Sequence, residues 1–481
     1  MATYGTLSDG ESGVEAVDDR GPLESQEHDH PELSGKNIGP LAALFNFLKG
    51  TIGTGILALP IAFKRSGLCL GLIFLLFYAC LSTYLMHVLL SISEEVIIKN
   101  NLDRSKIDYT EAVFYIVKFG PERFRIYKGK AKHTVNVFLV LTQIGFCCIY
   151  MLFVAQNTKY FIETTWPEVH ANLYLIGFIV TMLLVILNIK MAIWVFAIPS
   201  AIALVATMLG LILIFAYIFS TGLKDIASLP AFTSFDEILV ALGIFIFSFE
   251  GIALTLPIQS RMRDPERFVM PFGVLNTTMV IAACLCLTIG FFGYLRFGDA
   301  ILGSITYNIP SSPPCVGRFV LLSNYLHWLT ICLSTFCSIY AAVKPLFICA
   351  IFLSYVLQFY VPATIFGRLM LKWRWHREAS PRRQSICRKI MRVFIILFTY
   401  AVAMLVPHLD LMVSLLGAVS SSALALLVPP MLELLHRWPE RQQIPRFYLT
   451  VVTKNVVILA VGVFSAVCGT VATFIEIVNT L

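Results

Sequence analysis

The sequence predicts an all-α polytopic membrane protein of about eleven transmembrane helices, arranged as two inverted five-helix repeats plus one extra helix. Three observations predict it. Hydrophobic residues make up 58% of the 481-residue chain and charged residues only 14%, against about 25% charged in a soluble domain, and mean hydropathy is +0.79. Apolar runs near the roughly 20 residues that a crossing helix needs recur along the chain. Two of these runs carry helix-weakening residues at corresponding positions of the two halves, the pattern of discontinuous helices.

Residues 1–36 are acidic and polar, with Glu11, Glu15, Asp18, Asp19, Glu24, Glu27, Asp29 and Glu32 and no apolar period. They read as a disordered cytoplasmic tail. Tyr4-Gly5-Thr6-Leu7 within it fits a short tyrosine-type sorting pattern, of a kind common by chance. The start lacks a basic stretch followed by an apolar one, so the first span is expected to direct insertion. The membrane-spanning region is 37–481. Spans are expected at 38–65, 67–93, 134–161, 172–189, 193–220, 236–259, 270–296, one within 319–366, 391–407, 411–435 and 454–478. Little internal identity relates the first five to the next five, so the repeat is expected from architecture alone.

Basic residues fix the orientation. They gather in the loops 94–132, 260–269, 367–390 and 436–453. With one crossing between 319 and 366, all four fall on the side of the N-terminal tail, which is therefore expected to be cytoplasmic. Two crossings there would place the strongly basic loop 367–390 outside. The better crossing candidate is 344–366, and residues 313–337 are expected to be an outer-side element that does not cross. The charge excess of +7 is then a topology signal and not a nucleic-acid footprint. The 12 cysteines lie mostly in apolar runs, such as Cys147, Cys148, Cys284 and Cys286. They read as small buried hydrophobes, with no CxxC pair at zinc spacing.

The first span is Asn46-Phe-Leu-Lys-Gly-Thr-Ile-Gly-Thr-Gly-Ile-Leu-Ala-Leu-Pro60. Gly50, Gly53 and Gly55 weaken a helix where an unpaired backbone group costs several kcal/mol, roughly 4–8 on the least polar scale. An anchor has no use for that; a substrate-binding helix does. The sixth span holds Phe247-Ser-Phe-Glu-Gly-Ile-Ala-Leu-Thr-Leu-Pro257, in which a carboxylate at membrane depth, Glu250, precedes Gly251. An intramembrane ionisable residue is a functional candidate by default; the alternative is a carboxylate bonded to neighbouring helices for structure. Exposed amides at Gly50, Thr51, Gly53, Thr54 and Gly55 suit a carboxylate ligand, carbonyls near Ser248 and Phe249 suit an ammonium group, and Glu250 could brace the second helix or carry a proton. These chemistries together suit an amino acid. For the glycines alone, close helix packing is the competing explanation. Lesser polar candidates are Lys49, His87, Gln143, Asn276, Lys344 and Gln358. Lys49 and Lys344 could simply snorkel or pair, and His87 reads as structural. Asn276 lies in an Asn-Thr-Thr sequon inside a span, a poor glycosylation site.

With these residues in view, the chain resembles the amino acid/auxin permease family, and within it the insect-like branch of proton-coupled amino acid transporters. The similarity runs from about residue 37 to 478. It is carried by Leu-Lys-Gly-Thr-Ile-Gly-Thr-Gly-Ile-Leu-Ala-Leu-Pro (48–60), Phe-Glu-Gly-Ile (249–252), Gly-Tyr-Leu-Arg-Phe-Gly (293–298), Leu-Gln-Phe-Tyr-Val-Pro (357–362), Leu-Asp-Leu (409–411) and Ser-Ala-Leu-Ala-Leu-Leu-Val-Pro-Pro (422–430). Each is weak alone, and in this order they are strong together. The resemblance implies a LeuT-like core and uptake of small neutral amino acids such as glycine, alanine and proline with a proton. The chain departs from the pattern in several places. Asn46 stands where the family often has histidine, and asparagine cannot titrate. Thr51 replaces an asparagine, and Thr364 a glutamate. No cysteine in 162–171 is available to Cys315 for the outer-side disulfide of mammalian-type members. Residues 312–337 look inserted in an outer-side loop, as an alternative or mis-assigned exon would leave them.

The sequence therefore points to a secondary active, proton-coupled carrier of small neutral amino acids working by alternating access. Gly50, Thr51, Gly53, Thr54, Gly55, Ser248, Phe249 and Gly251 are the substrate candidates and Glu250 the proton candidate. Asn46, Lys49, Gln358 and Tyr360 are the supporting set. The expected partners are an amino acid, protons and the lipid bilayer; no cofactor, metal or nucleic acid is implied. The plasma membrane is the expected location, with an endolysosomal membrane the alternative. Competing functions are an endolysosomal amino acid sensor and a pH-independent facilitative carrier. No HExxH, GxSxG or paired metal-ligand motif suggests an enzyme, and no filter motif suggests a channel.

Overall fold

A computed structural model describes residues 38–166, 168–190, 197–220, 222–310, 339–372 and 379–480. The acidic tail with Tyr4, the stretch 312–337 and Cys315 lie outside the described residues. The first span is a broken pair. Helix α1 (Pro40–Thr51) opens on a proline, which has no amide hydrogen to leave unpaired there, and α2 (Thr54–Ser66) resumes after Ile52 and Gly53 at an angle of 48°. Gly67 ends α2 at φ +83°. A Cβ at Gly67 would lie 2.5 Å from the Ala231 carbonyl oxygen, so this turn needs glycine for both conformation and space.

The described helices then follow in order: α3 (Leu68–Lys99), α4 (Tyr109–Phe119), α5 (Glu122–Arg125), α6 (Lys128–Thr165), α7 (Leu173–Lys190), α8 (Ala197–Ser220), α9 (Phe235–Ser248), α10 (Ile252–Gln259), α11 (Val274–Leu287), α12 (Gly293–Phe297) and α13 (Ile305–Asn308). After these come α14 (Val343–Lys372), α15 (Pro381–Leu405), α16 (Leu409–Leu416), α17 (Val428–Arg437) and α18 (Lys454–Thr480). A π-turn, Thr288–Phe292, joins α11 to α12, and a π-helical stretch, Gly417–Leu427, joins α16 to α17. Among the described residues eight continuous helices are long and apolar enough to cross a membrane, nine with the bent α1–α2 pair. The other two expected spans are helical as well: α7, whose apolar part is shorter, and α15, whose first turns carry Arg382, Arg383, Arg388 and Lys389. Large apolar side chains face outward in numbers that water would not tolerate, Val205, Ile212 and Phe394 among them. Cys147, Cys148 and Cys286 are buried as expected. Cys284 is exposed, against expectation, because a span has a lipid-facing side on which an apolar residue need not be covered.

The helix ends form two sets of contacts. At one end, which bears the basic loops, Ile38 pairs its backbone with Arg261 and Arg263 at 2.9 and 3.2 Å. There Glu95 binds Arg437 at 2.5 Å and His436 at 3.0 Å, and Arg392 donates to the Asn188 carbonyl at 3.1 Å. At the opposite end Leu68 N donates to Pro230 O at 2.9 Å and Lys224 N to Leu295 O at 3.0 Å. Helix α14 (Val343–Lys372) is one continuous helix leading towards α15, and the expected outer-side element 313–337 lies outside the described residues.

Candidate functional site

The site is built where the two broken helices meet midway along their length. In the first, Ile52 N closes the last turn of α1 on Leu48 O at 2.8 Å. Helix α2 then starts at Gly53 with no side-chain cap. The first amides of α2 therefore point at the break as free donors, with the positive end of the helix dipole behind them. The Thr54 hydroxyl is fully buried beside them and has no hydrogen-bond partner among the described residues.

In the second, the Phe249 and Glu250 amides fold back onto Ile246 O and Phe247 O at 3.3 and 3.2 Å. This tightens the end of α9 and leaves Ser248 and Phe249 presenting helix-terminal carbonyls. Gly251 lies outside the helix and α10 restarts at Ile252. Glu250 is 8% exposed, and Ser421 Oγ donates to its Oε2 from the π-helical stretch 417–427. Among the described residues no cation pairs with it. Insertions of π geometry are frequent at functional sites.

The two breaks run antiparallel and touch. A Cβ at Gly50 would strike Leu254, one at Gly251 would lie 3.1 Å from Thr51 Oγ1, and one at Gly55 would lie 3.1 Å from both Cα and Oγ of Ser248. Rising numbers on one helix thus meet falling numbers on the other, which is the relation an inverted repeat requires. The third span closes one side. A Cβ at Gly53 would be 3.4 Å from Tyr150 Oη, and Gln358 of α14 lies near the same phenol.

Gly50, Thr51, Gly53, Thr54, Gly55, Ser248, Phe249, Glu250 and Gly251 are therefore brought together, with Gln358 near Tyr150 beside them. Three supporting candidates point elsewhere. Asn46 lies on the exposed face of α1. Lys49 turns to α8, donating to Ser200 O at 2.9 Å and Ser200 Oγ at 2.5 Å. Tyr360 faces Arg392. Two lesser candidates find each other: His87 Nε2 and Asn276 Oδ1 are 2.7 Å apart, while Asn276 Nδ2 caps the Met270 and Pro271 carbonyls, so both serve the turn before α11. Lys344 is buried in α14. Gln143, two turns before Tyr150 on α6, keeps a buried Oε1 without a partner among the described residues. Tyr150 and Ser421 were missing from the sequence reading. Three successive serines in an apolar span, 420–422, were the available signal.

A second polar cluster sits at the opposite end, above the breaks. Arg65, at the end of α2, binds Glu237 of α9 at 2.5 Å, Asp410 of α16 at 2.9 Å and Glu476 of α18 at 3.7 Å. One guanidinium thus ties the broken helices to each other and to two neighbours.

A bundle of membrane-spanning helices in which two broken members cross antiparallel, free amides on one and a buried carboxylate on the other, belongs to the class of membrane transporters and not of enzymes. Residues 36–475 match the family described as "Transmembrane amino acid transporter protein", and the chain belongs to that family. This bears out the resemblance drawn from the motifs. Among its relatives is the Caenorhabditis elegans protein named "Probable amino acid transporter skat-1", 27% identical over 450 residues, which cover 91% of this chain and 90% of the relative. Another is the Drosophila melanogaster "Proton-coupled amino acid transporter-like protein pathetic", 26% identical over 469 residues, covering 96% of this chain and 89% of the relative.

Proposed function

We propose that this protein is a secondary active transporter of small neutral amino acids of the glycine, alanine and proline type, coupled to protons and working by alternating access around the paired breaks. The observation that carries the reading is the opposition of two complementary ends: free amides at Gly53–Gly55 face the carbonyl-rich break at Ser248–Phe249. The substrate carboxylate is held by the α2 amides and the Thr54 hydroxyl, and the ammonium group by carbonyls of the second break. Glu250 takes and releases the proton. A carboxylate this buried, supported by one serine hydroxyl, is costly while charged, which suits a group whose protonation changes as access alternates. The name of the Drosophila relative supports the proton, as does the lack of any other acid at the breaks among the described residues. The Arg65 cluster closes the opposite end, which on this reading faces outside the cell, with the N-terminus cytoplasmic and the plasma membrane as the location.

The test is uptake of labelled glycine, alanine and proline, recorded with membrane current at acidic and neutral outside pH, for the wild type and Glu250→Gln. Acid-stimulated, current-carrying uptake that the variant loses supports the reading. Uptake indifferent to pH rules out the proton, and no uptake from protein present at the surface rules out transport.

A further inference from the structure

The link between α4 and α6 carries a surface that the transport site does not use. Residues 122–130, Glu-Arg-Phe-Arg-Ile-Tyr-Lys-Gly-Lys, are exposed without interruption. Basic and apolar side chains alternate along them. Ile126 is 81% exposed, and Phe124, Tyr127 and the preceding Phe119 are exposed too. The basic residues are Arg123, Arg125, Lys128 and Lys130, with Lys118 nearby, against the single acid Glu122. Their groups are mostly uncommitted to acids. Arg125 donates to Gly120 O at 2.9 Å and stands 4.0 Å from Glu122. Lys128 and Lys130 lie over the rings of Phe114 and Tyr127 at 5.7 and 5.6 Å. Lys132 alone is tied to a carboxylate beyond the segment, Glu111, at 2.5 Å.

Topological charge bias accounts for the basic residues but not for the exposed phenylalanine, isoleucine and tyrosine between them. Position accounts for both. Lys128 opens α6, whose apolar stretch begins at about residue 134, so Lys128 sits about 9 Å from the first apolar turn, at 1.5 Å per residue. That places it at the outer edge of the headgroup layer, which is about 5–8 Å thick on each side. Aromatic side chains with long basic ones are the composition of a membrane-interface anchor.

We infer that residues 118–130 bind anionic phospholipid headgroups of the leaflet at the basic end of the bundle. Phe119, Phe124, Ile126 and Tyr127 enter the interface, and Lys118, Arg123, Arg125, Lys128 and Lys130 contact the phosphates. The inference is independent of what the protein carries.

The measurement is native mass spectrometry of the purified full-length chain, titrated with phosphatidylserine and, separately, with phosphatidylcholine. Wild type is compared with a variant in which Arg123, Arg125, Lys128 and Lys130 are all glutamine, and with Arg123→Lys/Arg125→Lys. A basic residue at an anionic surface is worth roughly five-fold in affinity. The four-glutamine variant is expected to bind phosphatidylserine at least about ten-fold more weakly, with phosphatidylcholine unchanged, while the lysine variant keeps wild-type affinity. Unchanged phosphatidylserine affinity in a monodisperse four-glutamine variant overturns the inference and leaves the patch to a soluble protein partner. A loss of equal size in the lysine variant also overturns it, because the effect would then follow altered packing and not charge.

Discussion

At the break in the first span, α1 and α2 part by 48°, whereas at the break in the sixth, α9 and α10 stay close enough to one line to count as a single 25-residue span, although Phe249, Glu250 and Gly251 leave the helix. The first break has no ionisable side chain. It offers amide donors, a buried hydroxyl and glycine-thin walls. The second offers carbonyl acceptors and a carboxylate. Two half-helices meeting head to tail produce this complementarity, because every helix ends in donors at one terminus and acceptors at the other. On the proposed function, an inverted repeat needs little side-chain invention to hold a zwitterion; what the side chains add is Glu250. The bend sets the two spans apart: the first turns at Ile52–Gly53, and the second is held by the Ser421 bond to Glu250.

The comparison breaks most completely at Glu250. Glu250→Gln keeps the side chain's shape and its capacity to accept from Ser421, so the helix should remain folded and reach the membrane. Acid-driven accumulation and its current should fall to background, while exchange of labelled for unlabelled substrate across the membrane persists. Exchange assays in proteoliposomes read the two activities separately; loss of both with normal folding would assign Glu250 to bracing the break instead of coupling.

Arg65 comes next in expected size, because it fastens both broken helices at one end. Removing one partner of a buried ion pair costs roughly 3–5 kcal/mol. Here Glu237 and Glu476 are partly exposed, at 40% and 34% of their side chains, so the cost of Arg65→Gln should fall at or below the lower figure. Thermal unfolding of the purified variant in detergent measures it. An unshifted midpoint would mean the cluster contributes nothing net.

Gly55 tests whether the breaks must touch. A Cβ there would sit 2.9 Å from the Phe247 ring and 3.1 Å from the Ser248 backbone, neither of which yields easily, so Gly55→Ala is expected to cost about 1–3 kcal/mol by overpacking and to abolish most uptake. Gly50→Ala makes a useful contrast. Its added methyl meets the end of the flexible Leu254 side chain, which can rotate away, and substantial uptake should survive. Equal losses at both positions would show that backbone freedom, and not contact between the breaks, is what these glycines supply.

Much of this was legible in the sequence. Glycines and a carboxylate inside apolar spans are anomalies, and anomalies locate a break without any structure. The span boundaries followed from apolar length, those of α14 over the expected candidate 344–366 among them. What stayed hidden were ordinary residues whose facing decides their role. Asn46 and Lys49 precede the break by one turn or two, yet helical rotation turns Asn46 to the exposed face and Lys49 to Ser200 on α8. Tyr150 is one hydroxyl in the run Cys-Cys-Ile-Tyr-Met-Leu, and Ser421 one of three serines. No periodicity says which face of a span that is apolar all round meets a partner 100 residues away.

Tyr150 gives the smallest and most discriminating prediction. Its hydroxyl lies beside Gly53 and near Gln358, whereas Glu250 is held by Ser421, so Tyr150 shapes the donor side of the site. Tyr150→Phe removes one oxygen and keeps the ring. A single hydrogen bond is worth about 0.5–1.5 kcal/mol net, which predicts a rise of roughly two- to ten-fold in the substrate concentration for half-maximal uptake. Maximal rate and pH dependence should be unchanged. Uptake measured across substrate concentration at two pH values distinguishes the outcomes. A shift in pH dependence with unaltered half-saturation would place Tyr150 on the proton's path, joining the two breaks functionally and ending the division between a substrate-binding first break and a proton-carrying second one.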